Sequence, residues 1–249
     1  MNASARERLD IVVVARGLTA TRARARDLIL RGEVMIDGVR TLKPARLVAT
    51  EETVSLAPGT MDYVSRGAFK LQAALSQFAL DATGRIALDL GASTGGFTEV
   101  LLAAGASRVY AVENGTGQLH PRIARDVRVV SMERTDARML DRALIPEPVG
   151  AIAADLSFIS LTKVLPASLP LAAPKCWLVA LIKPQFELEP ADVPRDGVIK
   201  DEPARQRAVA KIAAWIGEVA GWQILGVIPS PLHGGDGNVE FLIVAVRHA

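Results

Sequence analysis

Three ionisable side chains stand at the ends of apolar runs in this 249-residue chain, and a fourth, Lys70, is set apart from them. Lys183 closes Trp177-Leu178-Val179-Ala180-Leu181-Ile182, Asp155 closes Ile152-Ala153-Ala154, and Glu240 follows Gly237-Asn238-Val239 at the start of another run. Lys70 lies in Ser65-Arg66-Gly67-Ala68-Phe69-Lys70-Leu71. A lysine at the poorly solvated end of a buried strand, with a second cation nearby, has its pKa lowered, which lets an amine act as a base near neutral pH. For any one of the four alone, a strand-end salt bridge is the simpler account.

A second set of residues describes a ligand. Ile86-Ala87-Leu88-Asp89-Leu90 reads as a strand that runs straight into Gly91-Ala92-Ser93-Thr94-Gly95-Gly96-Phe97, where the glycines let the backbone turn sharply beside a small molecule. Such a turn also serves dinucleotide sites. The spacing here departs from the phosphate-cradling Gly-x-Gly-x-x-Gly, and a carboxylate at Asp89 disfavours a pyrophosphate while suiting the cationic amino end of S-adenosylmethionine. Glu113 ends Val109-Tyr110-Ala111-Val112, 24 residues after Asp89, where an acid grips both hydroxyls of a nucleoside ribose. Asp136, in Glu133-Arg134-Thr135-Asp136, offers an acceptor for an adenine amino group. The expected cofactor site is therefore Asp89, Gly91, Ser93, Gly95, Gly96, Phe97, Glu113, Asp136 and Asp155. Any of these acids alone is ordinary surface charge; their common position at carboxyl ends of successive strands makes a site.

The elements that would carry these residues alternate. Helix is expected over 67–78, 96–104, 161–171 and 202–219, and strand over 86–90, 108–112, 127–132, 151–156, 177–182, 222–229 and 239–246. Strands separated by helices call for an α/β fold with a mostly parallel sheet, here closed by an antiparallel C-terminal strand at the sheet's end. Half of the residues are hydrophobic and only 4% aromatic, which suits buried parallel strands. No apolar stretch approaches the roughly 18 residues of a membrane span, and no charged start followed by an apolar core marks a secretory signal. A cytoplasmic monomer is expected. Cys176 is the single cysteine and reads as a buried small hydrophobe, while His120, His233 and His248 are scattered, so no metal site is expected.

The first sixty residues differ. From Arg6 to Arg46 there are ten basic and five acidic residues, a net charge of +5 in a chain that carries +2 overall. Helices are expected over 6–16 and 22–31, with Thr19 or Thr21 as cap of the second, followed by strands 34–36 and 39–41 around Asp37-Gly38. Arg22 and Arg26 share a helix face and Arg24 is offset from it. A solvated face and a nucleic-acid surface explain this equally well.

The order of these pieces settles more than their composition. Arg8-Leu9-Asp10, Arg16-Gly17-Leu18, Arg22 with Ala25 and Ile29, Gly32-Glu33-Val34, Ile36-Asp37-Gly38 and Lys43-Pro44 resemble the αL-type RNA-binding module of a small-subunit ribosomal protein, tyrosyl-tRNA synthetases and pseudouridine synthases, over residues 6 to 56. Ser65 to Leu71, Asp155-Leu156-Ser157-Phe158-Ile159-Ser160-Leu161, Leu181-Ile182-Lys183-Pro184-Gln185-Phe186-Glu187 and Gly237 to Phe241 resemble the motif series of the hemolysin-A-like family, ribosomal RNA 2′-O-methyltransferases with an FtsJ-type catalytic domain. The resemblance implies an RNA-binding α+β domain over 1–62 and a class I, Rossmann-like, S-adenosylmethionine-dependent methyltransferase domain over 63–249. It implies that Lys70, Asp155, Lys183 and Glu240 form a catalytic tetrad in which Lys183 is base or hydroxyl-orienting group, Asp155 and Glu240 hold the amines, and Lys70 steers the ribose. Arg6, Arg8, Arg16, Arg22, Arg24, Arg26, Lys43 and Arg66 become the expected RNA contacts, and cytidine of 16S or 23S rRNA in ribosomal subunits the substrate.

The chain departs from the family pattern in places. Glu113-Asn114 stands for Asp-Val, Ala68-Phe69 for Gly-Leu, and the loop Ser230 to Asp236 diverges. Two other functions compete: a non-catalytic ribosome-assembly factor that uses the arginine-rich domain, and the membrane lysis in the family's older name. Neither a spanning helix nor a strongly apolar amphipathic segment supports the second.

Overall fold

The strand ends that carry the ionisable residues belong to one seven-stranded sheet. The computed structural model describes residues 6–19, 21–58, 60, 63–219 and 221–248, and the chain forms two units, Met1–Asp62 and Tyr63–Ala249.

In the first unit, β1 (Arg6–Arg8) leads into α1 (Leu9–Ala15), and α2 (Arg22–Leu30) follows; then come β2 (Val34–Ile36), β3 (Val39–Thr41), β4 (Leu47–Ala49) and β5 (Val54–Leu56). The expected helix over 6–16 is shorter at its start. Arg6-Glu7-Arg8 has nothing apolar to bury and pairs antiparallel with β4, Arg6 opposite Ala49, and the backbone enters helix only after Arg8. Thr21 caps α2 by accepting from the Arg24 amide at 3.3 Å. The hairpin between β2 and β3 turns through Asp37 and Gly38, both at positive φ (48° and 78°), as an Asp-Gly type I′ turn requires. Leu9, Val13, Leu28, Ile29, Val34 and Val54 close the core beneath it.

The second unit opens with α3 (Ala68–Gln77), β6 (Ile86–Leu90), α4 (Gly96–Ala103), β7 (Arg108–Val112), α5 (Pro121–Ala124), β8 (Val129–Met132), β9 (Val149–Ala154) and α6 (Leu161–Ser168). It continues with β10 (Ala172–Ile182), α7 (Pro184–Glu187), α8 (Glu202–Glu218), β11 (Trp222–Pro229) and β12 (Phe241–Arg247). The sheet order is β11-β12-β10-β9-β6-β7-β8. β8, β7, β6, β9 and β10 are parallel; β12 is antiparallel to both of its neighbours. The antiparallel strand thus does not end the sheet. It inserts between β10 and β11, because Phe241 to Ala245 are buried on both faces, whereas β11 is buried only at Trp222 and half-exposed or exposed beyond it, which suits the edge.

Helices cover both faces. Leu88, Ile152, Leu178 and Ile243 pack under α6 and α8 on one side; Ala87, Ala151, Val179 and Leu242 pack under α3 and α4 on the other. Cys176 is buried within the first layer, and burial pushes its thiol up to about 12. Among the described residues, no helix is long and apolar enough to cross a membrane and no cluster of ligand-type side chains could hold a metal.

Candidate active site

The glycine turn is shaped by what lies against it. Gly91 has φ +83°, and a Cβ there would press into the carbonyl oxygen of Asp155. The end of β6 and the end of β9 are therefore in backbone contact, tied also by the Asp155 amide donating to the Leu90 carbonyl at 3.0 Å. Gly96 gives similar room: a Cβ would stand 2.5 Å from Ser65 Oγ. Gly95, at φ +95°, turns the chain into α4 against Leu119 and Ile123 and lines neither cleft of the site.

Two clefts meet at this turn, sharing Gly91, Ser93 and Asp155 as a common wall. The larger, about 580 Å³, runs along the ends of β6, β7 and β9 and includes Glu113, Gln118, Asp136 and Phe158. Its carboxylates are pre-set. Glu113 accepts from the Ser93 amide at 3.0 Å and the Gly115 amide at 2.8 Å, which fixes it between two loops. Asp136 accepts from the Arg138 amide at 2.9 Å and from Nε and Nη2 along one edge of its guanidinium, and this side-chain pairing holds the acid down at about 2. The smaller cleft, about 310 Å³, is lined by Arg66, Lys70, Phe97, Asp155 and His233.

Asp89 is not where a ligand's amino end would meet it. The residue is fully buried and absent from both clefts; Oδ2 accepts from Thr98 Oγ1 at 2.6 Å, and Oδ1 has no hydrogen-bond partner. Burial, with lesser repulsion from Asp155 and Glu113, pushes its carboxyl up to about 7. The extended strand end that suggested an exposed acid instead aims it inward, onto α4.

The three strand-end residues and Lys70, on the first turn of α3, do come together, as two ion pairs. Lys183 Nζ lies 2.7 Å from Asp155 Oδ1 and donates to Ser157 Oγ at 3.0 Å. Lys70 Nζ donates to Glu240 Oε2 at 2.5 Å. Register explains the grouping: β10 and β12 pair up to Ile182 opposite Phe241, so Lys183 and Glu240 are the next positions on adjoining strands, and Asp155 follows β9 on β10's other side. Pro184 at the first position of α7 stops the strand directly after Lys183. Both lysines and Glu240 are buried, with Glu240 only 2% exposed.

Known proteins match this arrangement along its length. Residues 63–247 match the FtsJ-like methyltransferase family and residues 7–54 the S4 domain. The chain is 45% identical over 239 residues to the 16S/23S rRNA (cytidine-2′-O)-methyltransferase TlyA of Mycobacterium tuberculosis, covering 96% of this chain and 89% of the relative. The chain belongs to the TlyA family of FtsJ-like methyltransferases. Hemolysin A of Brachyspira hyodysenteriae is 36% identical, over 94% of this chain and 98% of its own. A solved structure, of a hemolysin-named protein from Streptococcus thermophilus, superposes with a TM-score of 0.72 at 34% identity, covering 99% of this chain and 90% of that one.

In the S4 domain the expected RNA contacts fall into three groups. Arg6 and Lys43 are exposed. Arg16 donates to the Glu52 and Thr50 carbonyls, so it braces the fold, and Arg24 is half-buried rather than displayed. Arg8, Arg22 and Arg26 gather on the buried carboxylate of Asp10. Arg66 is exposed in the methyltransferase domain, on the smaller cleft.

Several residues of the methyltransferase site escaped sequence reasoning. Ser157 and Thr98 carry no charge, and only their spacing from Asp155 and Asp89 marked them. Asn238, buried, accepts from the Ile199 amide at 2.9 Å and donates to the Gly197 carbonyl at 2.9 Å, which pins the approach to Glu240. Arg138 reads as surface charge until its grip on Asp136 is seen.

Proposed function

We propose that this methyltransferase methylates the 2′-hydroxyl of a cytidine ribose in 16S rRNA, 23S rRNA or both, acting in the cytoplasm as a monomer on ribosomal subunits. The observation that carries the reading is the ion pairs Lys183–Asp155 and Lys70–Glu240 beside the glycine-walled clefts. Lys70 and Asp155 line the smaller cleft and Glu240 and Lys183 are ion-paired directly to them, an arrangement matched to a neutral hydroxyl that must lose its proton as it reacts.

The larger cleft fits S-adenosylmethionine. A backbone-walled turn that tolerates no side chain at Gly91, a clamped Glu113 for ribose hydroxyls and Asp136 for the adenine amino group are the acceptors and spaces a nucleoside needs. When bound, the cofactor supplies a methyl group on a positively charged sulfur. Gly91, Ser93, Gly96 and Phe97 bound the space beside it, and Asp155 faces both clefts. Lys183 Nζ meets the ribose hydroxyl, donating to its oxygen when charged or receiving its proton when neutral. Asp155 and Ser157 fix Lys183 in place, so that little reorganisation is needed when the hydroxyl arrives. Lys70, held by Glu240, places a positive charge on the smaller cleft, where it steers the ribose. The S4 domain supplies affinity for RNA phosphate through Arg6, Arg8, Arg22, Arg26 and Lys43, and Arg66 of the methyltransferase domain adds a contact at the smaller cleft.

The test is mass mapping of ribose methylation on ribosomal subunits incubated with the purified protein and S-adenosylmethionine. A cytidine gaining one methyl group on its ribose supports the reading; an unchanged map in both subunits overturns it. A protein that binds the subunits yet leaves the map unchanged is the assembly factor instead.

A further inference from the structure

The Asp10 carboxylate is fully buried, yet three arginines converge on it. Arg8 donates through Nε to Oδ1 and through Nη2 to Oδ2, both at 3.1 Å; Arg22 Nε donates to Oδ2 at 3.0 Å; Arg26 Nη1 stands 4.0 Å from the same oxygen. The Arg8 hydrogen bonds, then those of Arg22, outweigh burial and hold the Asp10 carboxyl below the usual carboxylate range. The three side chains come from two elements, Arg8 from β1 and Arg22 and Arg26 from successive turns of α2, and remain 38%, 53% and 54% exposed. Asp10 itself is fixed at the backbone, where its amide donates to the Pro44 carbonyl at 3.0 Å.

In a surface whose task is to hold RNA, an acid is out of place on charge alone. It subtracts one positive charge from the patch, and long-range attraction to phosphate weakens accordingly. Its gain is geometric. Three guanidinium groups this close repel one another and would spread; a buried carboxylate among them hydrogen-bonds Arg8 and Arg22, attracts Arg26, and leaves further N–H donors on half-exposed side chains.

We propose that Asp10 is a positioning residue that assembles Arg8, Arg22 and Arg26 into one preformed site for an RNA backbone phosphate. The proposal rests on the reading that the S4 domain holds RNA. It reverses the sign expected from charge counting: removing this acid weakens RNA binding.

The experiment measures affinity of the full chain for an rRNA fragment as a function of salt, with melting temperature read alongside. Asp10→Asn is compared with Glu7→Gln, which removes the same charge from an exposed position on β1. Glu7→Gln is expected to bind as tightly as wild type or more so, and Asp10→Asn about tenfold more weakly, the scale of one lost charge-assisted contact. If Asp10→Asn melts early, Arg8→Lys and Arg22→Lys decide, since they keep the charge and the buried acid but lose the planar fork. Weaker binding at an unchanged melting temperature supports the site. Binding by Asp10→Asn, or by both lysine variants where the first is unfolded, at wild-type strength overturns it. Failure of the wild-type chain to bind RNA at all would instead remove the reading on which it rests.

Discussion

Lys183 and Glu240 occupy neighbouring positions just past the last paired residues of β10 and β12, yet neither neutralises the other. Lys183 is paired with Asp155 at 2.7 Å and Glu240 with Lys70 at 2.5 Å. The consequence is a division of labour. Lys183 is tied to an acid that lines both clefts, and Lys70, which lines the smaller cleft, is tied to the buried Glu240, so each amine has its charge balanced by its own acid.

Lys183→Met is expected to reduce methyl transfer by about 10²-fold or more, the range of a lost general base or a misplaced hydroxyl. Binding of S-adenosylmethionine and of RNA should persist, because Lys183 is not part of the larger cleft's wall and RNA affinity comes from the S4 domain. Single-turnover transfer alongside calorimetric cofactor binding separates the two. Undiminished transfer would remove Lys183 from the chemistry.

Glu240→Gln tests the buried pair as structure. Removing one partner leaves Lys70, whose side chain is 10% exposed, without its counter-charge, at a cost of about 3–5 kcal/mol. A second change, Lys70→Met, removes that orphaned charge and should recover much of the lost stability while activity stays low. Chemical denaturation of both variants measures this; a double variant no more stable than Glu240→Gln would show that the charge was never the problem.

Gly91→Ala joins a positive φ to a clash with the Asp155 carbonyl. Strain of about 1–3 kcal/mol is expected from the backbone alone, and the clash pushes β6 and β9 apart at the cofactor wall. Affinity for S-adenosylmethionine should fall more than stability does. Gly117→Ala is the control: its φ is +67°, but nothing lies within 4 Å of the added methyl, so it carries the strain without the clash.

Much of this was legible in the residues because strand ends punctuate apolar runs. The runs ending at Asp155 and Lys183 and beginning at Glu240 located three strand termini, and the gathering of their side chains follows from register. What failed to show was direction. The end of β6 marks where Asp89 sits, but only packing reveals that its carboxylate turns inward to Thr98. Likewise i, i+4 spacing put Arg22 and Arg26 on one face, and nothing in that spacing shows a third arginine and a buried acid beneath them. The slot taken by β12 was hidden for a related reason. Local alternation distinguishes a half-exposed strand from a buried one but does not name its neighbours.

The burial of Asp89 has a pH signature. Its carboxyl ordinarily titrates at 3.8 and is pushed up to about 7 in the fold, chiefly by burial. The folded state therefore keeps a proton that the unfolded chain has released, so this group's contribution to stability is fully present below about pH 4 and is lost as pH rises to about 7. Paired acids such as Asp10 and Asp136, held below their ordinary range, act in the opposite sense, with stability present above about pH 4 and lost on acidification. The informative quantity is thus the difference between wild type and Asp89→Asn. Asparagine is neutral at every pH and can still accept from Thr98, so its advantage over aspartate should grow steadily from pH 4 to pH 7 and level off above. Denaturant midpoints across that window measure it, and a difference that stays flat would mean that Asp89 titrates as an ordinary carboxylate.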